Sequence, residues 1–381
     1  MKLASARQLI TLIGFVLLIL CILHFGILPY YDSKNNAVFV TEPYKVSKNT
    51  RILHETAFVA DLHADPLLWK RNLLKRNSYG HIDLPRLKQG GIDLQVFSVV
   101  TKVPVSNNLQ SNPDDSDVLP LLFLASWRSP ATWFSPKERA LTQARELVQL
   151  ATNPSFSLVL KRQDLLAKGT RGLLSLEGMH ALEGKEEALI ELYSAGFRMM
   201  GLAHFFDNKV AGSAHGERKY GLTNLGRSLI PRMETLGITI DLAHASPTAF
   251  RETLALVTKP VVVSHGGVKG TCLGLRSLAD SQIRSIADNG GVIGIGYWKT
   301  AVCNASVDGI VSAILYTIKI AGIDHVGLGS DFDGHVTTPF DASGLPLLSE
   351  ALLQAGLTAE ELFKVLGGNV LRVLTTNLPE K

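Results

Sequence analysis

From about Arg51 onward, eight short and almost wholly apolar runs alternate with segments of helical period, and six of the eight end at a histidine or a carboxylate. The runs are Phe58 to Asp65, Ile92 to Val100, Gly172 to Glu177, Phe197 to His204, Ile238 to His244, Pro260 to His265, Gly291 to Gly296 and Val326 to Asp331. Helices are expected over Pro136 to Ala151, Lys185 to Ala195, Asn224 to Leu236, Pro247 to Val257, Asp280 to Asn289 and Ala305 to Ala321, with a closing one over Thr358 to Leu374. A strand wetted on one face alternates apolar and polar residues, whereas runs without alternation suit parallel strands covered on both faces. Eight such units close a (β/α)8 TIM barrel. An open doubly wound sheet is the competing arrangement, but no G-x-G-x-x-G turn follows the first run.

In such a barrel the chemistry gathers at the C-terminal ends of the strands. Here those ends read D-L-H-A-D (His63, Asp65), S-L-E-G (Glu177), L-A-H (His204), D-L-A-H (His244), V-S-H (His265) and G-S-D-F-D-G (Asp331, Asp333). With 11 histidines in 381 residues, a three-residue window holds one about 9% of the time, so three consecutive run ends would do so about once in a thousand trials. His63 and Asp65 are two apart in an extended strand and point to the same side, so one cation can take both. Neutral imidazole and carboxylate suit Zn2+ and related divalent ions. Together with the other histidines and Glu177 they exceed one four-coordinate ion, which favours two metals about 3.5–4 Å apart sharing a carboxylate.

The chain is 46% hydrophobic and 19% charged, enough to bury a large core, and its net charge of +4 is scattered, which argues against a nucleic-acid partner. Cys21, Cys272 and Cys303 are too few for a disulfide framework; a Cys272–Cys303 bridge is the one pairing left open and is not favoured. Leu9 to Leu28 carry no Asp, Glu, Lys or Arg over 20 positions, long enough as a helix to cross about 30 Å of hydrocarbon. Lys2 and Arg7 precede this segment, which places the short N-terminus in the cytoplasm and the remainder outside. The run exceeds a signal-peptide core and lacks a small-x-small site, so an uncleaved transmembrane anchor is favoured over a cleaved signal. The expected division is a cytoplasmic N-terminus over 1–8, an anchor over 9–28, a polar linker over 29–50 and a barrel over 51–381. The long connection from Thr101 to Ser135, with Phe123, Trp127, Trp133 and Phe134, reads either as a lid or as aromatics packed on the barrel or at the membrane interface.

Between Val59 and Leu374 these motifs, in order and spacing, resemble the membrane dipeptidase (renal dipeptidase) family of zinc peptidases, as a bacterial membrane-anchored member. Further matching motifs are S-L-E-G-M-H at Ser175 to His180, G-L-T-N-L-G-R at Gly221 to Arg227, D-L-A-H-A-S at Asp241 to Ser246 and G-N-V-L-R-V at Gly368 to Val373. The resemblance implies two zinc ions per chain, with His63 and Asp65 on one, His244 and His265 on the other, and Glu177 bridging. It implies His204 as a substrate and transition-state contact, Asp331 for proton transfer and substrate contact, and Arg276 for the substrate carboxylate. The choice of Asp331 over Asp333 rests on the resemblance. The implied reaction is dipeptide hydrolysis by a metal-bridging hydroxide, with D-residues accepted at the C-terminal position. Expected partners are the dipeptide and the inner membrane, with the catalytic domain on its outer side; a homodimer is left open.

His215, in G-S-A-H-G, reads as either a substrate contact or a structural residue, and His180 as a group that could orient a ligand. No partner is evident for His54, His81, His325 or His335. The competing functions are another binuclear barrel hydrolase acting on lactones, esters or phosphoesters, and an inactive membrane-tethered binding protein. Against the first, strand one reads H-x-D and strand four ends in His204 without a lysine; against the second, the ligand set is complete.

Overall fold

Burial on both faces is what turns the apolar runs into strands: Leu94–Val100 is buried at every position, as are Thr170–Glu177 and Phe197–Gly201. The computed structural model describes residues 6–106 and 108–380, and its strands are all parallel. In chain order they are β1 Ala60–Ala64, β2 Leu94–Val100, β3 Phe156–Leu158, β4 Thr170–Glu177, β5 Phe197–Gly201, β6 Thr239–Asp241, β7 Val262–Val263, β8 Val292–Ile295 and β9 Val326–Leu328. β1 pairs with both β2 and β9, β2 pairs with β4, and the remaining neighbours follow in order, which closes an eight-stranded barrel. All eight expected runs are in it. β3 is the addition: it pairs with Thr170 to Gly172, on the edge of β4 that β5 occupies from Leu174 onward.

The helices between strands fall where the helical period placed them, at Pro136–Leu150, Ala188–Ser194, Asn224–Leu236, Pro247–Leu254, Asp280–Asp288 and Val307–Ala321. Side-chain caps fix several starts. Ser135, Thr223, Ser246 and Ser306 each accept a hydrogen bond from a first-turn backbone N–H of the helix that follows. The closing helix is kinked, running from Ala359–Phe363 through Lys364–Gly368 into Asn369–Asn377.

Three segments outside the repeat differ in detail from expectation. Cys272 and Cys303 form a disulfide. They are 31 residues apart in sequence, but the loops following the adjacent strands β7 and β8 bring their Cα atoms to 5.2 Å. The apolar N-terminal segment is one long helix from Arg7 to Asn35, long and apolar enough to cross a membrane, with none of its most apolar stretch buried. Lys2, half of the charge pair that argues its orientation, lies outside the described residues. The polar stretch after this helix lies on the barrel: Phe39 N donates to Thr338 O and Thr338 N to Ala37 O, and a helix at Lys48–Thr56 follows.

The long connection holds two short helices, Leu119–Ala125 and Ala131–Phe134, and is pinned down. Arg139 is 2% exposed and donates to the carbonyls of Thr101, Thr132 and Trp133 while pairing with Asp117. Arg128 donates to Leu67 O and Leu68 O and pairs with Glu146 at 2.7 Å. The Phe123 ring lies 4.4 Å from the Arg128 guanidinium and 6.0 Å from that of Arg139. This is a fixed cap held by buried arginines. Arg139→Ala should therefore destabilise the chain by about 3–5 kcal/mol in chemical denaturation and open residues 101–135 to limited proteolysis. Unchanged stability and proteolysis would contradict the pinning.

Candidate metal centre

Every residue that ends a run sits at one rim of the barrel. His63 is inside β1 and Asp65 one residue past it; Glu177 ends β4; His204, His244 and His265 follow β5, β6 and β7; Asp331 follows β9. His244 and Asp331 have left-handed backbones, φ 62° and 61°, a conformation that costs a non-glycine residue about 1–2 kcal/mol. Tertiary bonds hold both: Ala214 N donates to His244 O at 2.7 Å and Asp331 N to His63 O at 3.1 Å. Gly178, at φ 83°, lets β4 close on its neighbour, since a Cβ there would lie 2.9 Å from that of His204.

The side chains converge on Glu177. Its Oε1 lies 3.0 Å from His244 Nε2, 3.6 Å from His265 Nε2 and 3.6 Å from His63 Nε2, and its Oε2 lies 3.6 Å from His204 Nε2. His63 Nε2 is also 3.5 Å from Asp65 and 3.7 Å from Asp331. Three overlapping groups could each hold a cation: His63, Asp65 and Asp331; His63, Glu177 and His265; and Glu177, His204 and His244. Asp333 is in none of them. It is wholly buried and paired with Arg71 at 2.7 Å and with His81, so of the two acids in D-F-D it is Asp331 that faces His63 and the convergent group.

The electrostatics suit a cation-binding site. Burial, with Asp65 beside it, pushes Glu177 well above the carboxylate range, and burial carries Asp331 up to about 7 against the pull of His63. Burial works to lower His63, but Asp65 and Glu177 overcome it and raise the imidazole to about 10. His204, His244 and His265 are driven well below the usual imidazole value, chiefly by burial, and so stay neutral with a lone pair to offer. His244 Nε2 and His265 Nε2 meet at 3.1 Å, and His63 Nε2 and Asp65 Oδ1 are buried without a hydrogen-bond partner. Divalent ions among these atoms would take up the unpartnered lone pairs and neutralise the packed carboxylates.

A supporting layer fixes the histidines of the rim, and sequence reasoning assigned it no role. Ser264 Oγ donates to Asp241 at 2.6 Å and accepts from His265 Nδ1 at 2.9 Å, which sets the tautomer that leaves Nε2 free for a ligand bond. Asp61 accepts from Ser330 N, Ser330 Oγ and Gln95 Nε2, at 2.8, 2.6 and 2.9 Å, and so joins β1, β2 and β9 beneath His63. The signal for Asp61 and Asp241 was present: each opens a motif, two or three residues before its histidine.

Arg276 is brought to the same rim, half-buried, with one N–H 3.3 Å from His265 O and its guanidinium 5.9 Å from the Trp298 ring. Trp298, three residues past β8, had not been singled out; its ring lies 5.9 Å from that of His265. His215 lines the region, its ring 5.4 Å from His244 and its Nδ1 2.6 Å from Leu109 O. His180 is not among the ligand groups; its ring lies 5.9 Å from Phe206, and both ring nitrogens are buried without a hydrogen-bond partner. His54, His81, His325 and His335 all have structural partners: Ser349 and Gly90, Asp333, Gly291, and Tyr31.

Comparison with known proteins identifies the family. Residues 47–379 match the family described as membrane dipeptidase (peptidase family M19). Dipeptidase tcpJ of Claviceps purpurea is 31% identical over 304 residues, 77% of this chain and 69% of its own. Dipeptidase aclJ of Aspergillus oryzae is 28% identical over 346 residues, 83% of this chain and 77% of its own. Among solved structures, a metallopeptidase from Rhodobacter sphaeroides, liganded with a phosphinate mimic of the dipeptide L-Ala-D-Ala, superimposes with a TM-score of 0.70 at 24% identity, covering 84% of this chain and 99% of that one. The probable dipeptidase PvdM from Pseudomonas aeruginosa gives 0.72 at 19% identity, with 86% and 97% covered. These two likenesses concern the fold, whereas the match over 47–379 settles the family, and this chain, a metallodipeptidase, belongs to the membrane dipeptidase family, peptidase family M19.

Proposed function

We propose that this chain is a membrane-anchored dipeptidase working with two zinc ions, His63 and Asp65 holding one, His244 and His265 the other, and Glu177 shared between them. The observation that carries the reading is the position of Glu177 Oε1, within 3.6 Å of the Nε2 atoms of His63, His244 and His265 at once. One carboxylate with ligands on either side suits a shared bridge, and the all-imidazole and carboxylate donor set suits zinc. The ions would supply a water activated at neutral pH and a polarised carbonyl.

The other roles follow from what the side chains can reach. His204 is surplus to that ligand count and lies against Glu177 Oε2, where its N–H can donate to the oxyanion that develops on the substrate carbonyl. Asp331, at the edge of the ligand group, takes a proton from the attacking water and returns it to the leaving amine. The Arg276 fork, steadied by His265 O and Trp298, pairs with the free carboxylate of the substrate, which restricts the site to short peptides. The L-Ala-D-Ala mimic bound to the Rhodobacter metallopeptidase supports acceptance of a D-residue at the C-terminal position. Family membership leaves lactones, phosphoesters and an inactive binding role without support.

The location proposed is a single pass through the inner membrane, with the barrel outside. The exposed apolar helix supports the anchor, and the Cys272–Cys303 disulfide suits an oxidising compartment. Contacts of residues 28–40 with the barrel favour a retained helix over a cleaved signal.

Glu177→Gln should lower kcat by at least about a hundredfold and reduce bound metal while the barrel still folds. Full hydrolysis with normal metal content in that variant would contradict the shared bridge. Arg276→Ala should raise KM about tenfold or more for dipeptides with a free carboxylate, with a smaller effect on kcat. An unchanged KM would remove Arg276 from the site.

A further inference from the structure

Five residues downstream of β9, Asp331 to His335, contain three left-handed non-glycine residues: Asp331 at φ 61°, Asp333 at 64° and His335 at 63°. A segment so bent does not hold itself, so what fixes it also fixes Asp331. Part of the support is internal to the barrel. Asp333 accepts from the backbone N–H groups of His81 and Ile82, at 2.8 and 3.1 Å, and Trp69 Nε1 donates to Asp333 O at 2.6 Å.

The rest comes from the end of the apolar helix. Arg71, whose side chain is 2% exposed, is ion-paired on one side with Asp333 at 2.7 Å and on the other with Asp32 at 3.0 Å. Both contacts are close charge pairs without hydrogen-bond alignment. Asn36 Nδ2 donates to Asp32 Oδ1 at 2.8 Å while Asn36 Oδ1 accepts from His335 N at 2.9 Å, and Tyr31 Oη lies 2.9 Å from His335 Nε2. The seat is built for this arginine: Gly80, at φ 80°, stands where a Cβ would lie 1.8 Å from Arg71 Nη1. Asp32 and Asn36 are 2% and 1% exposed, as buried as core residues, yet both precede residue 47, where the match to the family begins.

We propose that Asp32 is a positioning residue for dipeptide hydrolysis, acting through Arg71 and Asp333 to hold the Asp331–His335 segment. The end of the apolar helix is then a working part of the active-site scaffold as well as the continuation of the proposed membrane anchor. A buried arginine between two carboxylates is balanced only while both are present, and loss of Asp32 leaves Arg71 free to draw Asp333 out of place. Asp331 is two residues away on the same strained segment. The inference rests on the reading of Asp331 as the proton carrier.

The test uses the full chain in membranes. Asp32→Asn should lower kcat about tenfold, with KM within about twofold of the parent and the metal content unchanged, because a sub-ångström shift of a proton carrier affects the chemical step more than binding. A purely structural role would lower the melting temperature and leave kcat per folded molecule intact, and that result would overturn the proposal. A second arm does not depend on the variant folding. A protease site placed at Lys45–Val46, cut in the otherwise unaltered protein, should leave the barrel in the membrane pellet, held by the docked helix end. Release of a fully active barrel into the supernatant would overturn the proposal. Asp331→Asn, assayed beside these, separates the two readings: if it is fully active, the proton-carrier role fails and the positioning role with it, while sedimentation still reports whether the helix is docked.

Discussion

Glu177 is buried among His63, His204, His244 and His265, with Asp65 and Asp331 close behind, so three largely buried carboxylates share one space. Charges of one sign in that setting repel strongly unless protons or cations lie among them. Burial and the neighbouring carboxylates raise Glu177 and Asp331, and Asp65 and Glu177 raise His63. Divalent ions answer the repulsion more completely, because each replaces proton sharing with bonds to lone pairs already aimed inward. The rest of the rim follows from this one requirement. Ser264 and Asp241 orient His265, Asp61 clamps the strand that carries His63, and the bent backbones at His244 and Asp331 are held by bonds from neighbouring loops.

The barrel explains why such a centre can be built from residues so far apart. Parallel strands bring their C-terminal ends to one rim, so His63 and Asp331 become neighbours through the β1–β9 pairing that closes the barrel. The strands near the site are short: β6 has 3 residues and β7 only 2 before the chain leaves the sheet for its histidine. The loops that carry these histidines are therefore braced by other loops. The buried arginines Arg71, Arg128 and Arg139 brace the segments around the rim, where apolar packing alone would leave carbonyls and acids unpaired.

Much of this was legible in the sequence because parallel strands buried on both faces appear as unbroken apolar runs, and a ligand at a strand end appears as polar punctuation. Run ends such as His244 and His265 were visible for that reason, though the strands themselves stop two or three residues earlier. β3 was missed because three residues of Phe156–Leu158 carry no readable period. The Ser264–Asp241 bond spans 23 residues and the Ser330–Asp61 bond 269, distances over which one sequence gives no pairing information. The same limit left the Cys272–Cys303 bridge open but unfavoured and hid the docking of Asp32, since each depends on loops or side chains that only the closed barrel brings together. A helix long and apolar enough to cross a membrane was readable from hydropathy; the buried polar face at the end of the same helix was not, because Asp32 and Asn36 look like ordinary linker residues.

The most direct test of the two-ion centre is the metal content of the purified full-length chain, measured by mass spectrometry alongside hydrolysis of L,L- and L,D-dipeptides before and after chelation. The account predicts about two zinc ions per chain, and activity that disappears with the metal and returns when zinc is restored. One ion per chain at full activity, or dipeptide hydrolysis that survives complete removal of metal, would contradict it.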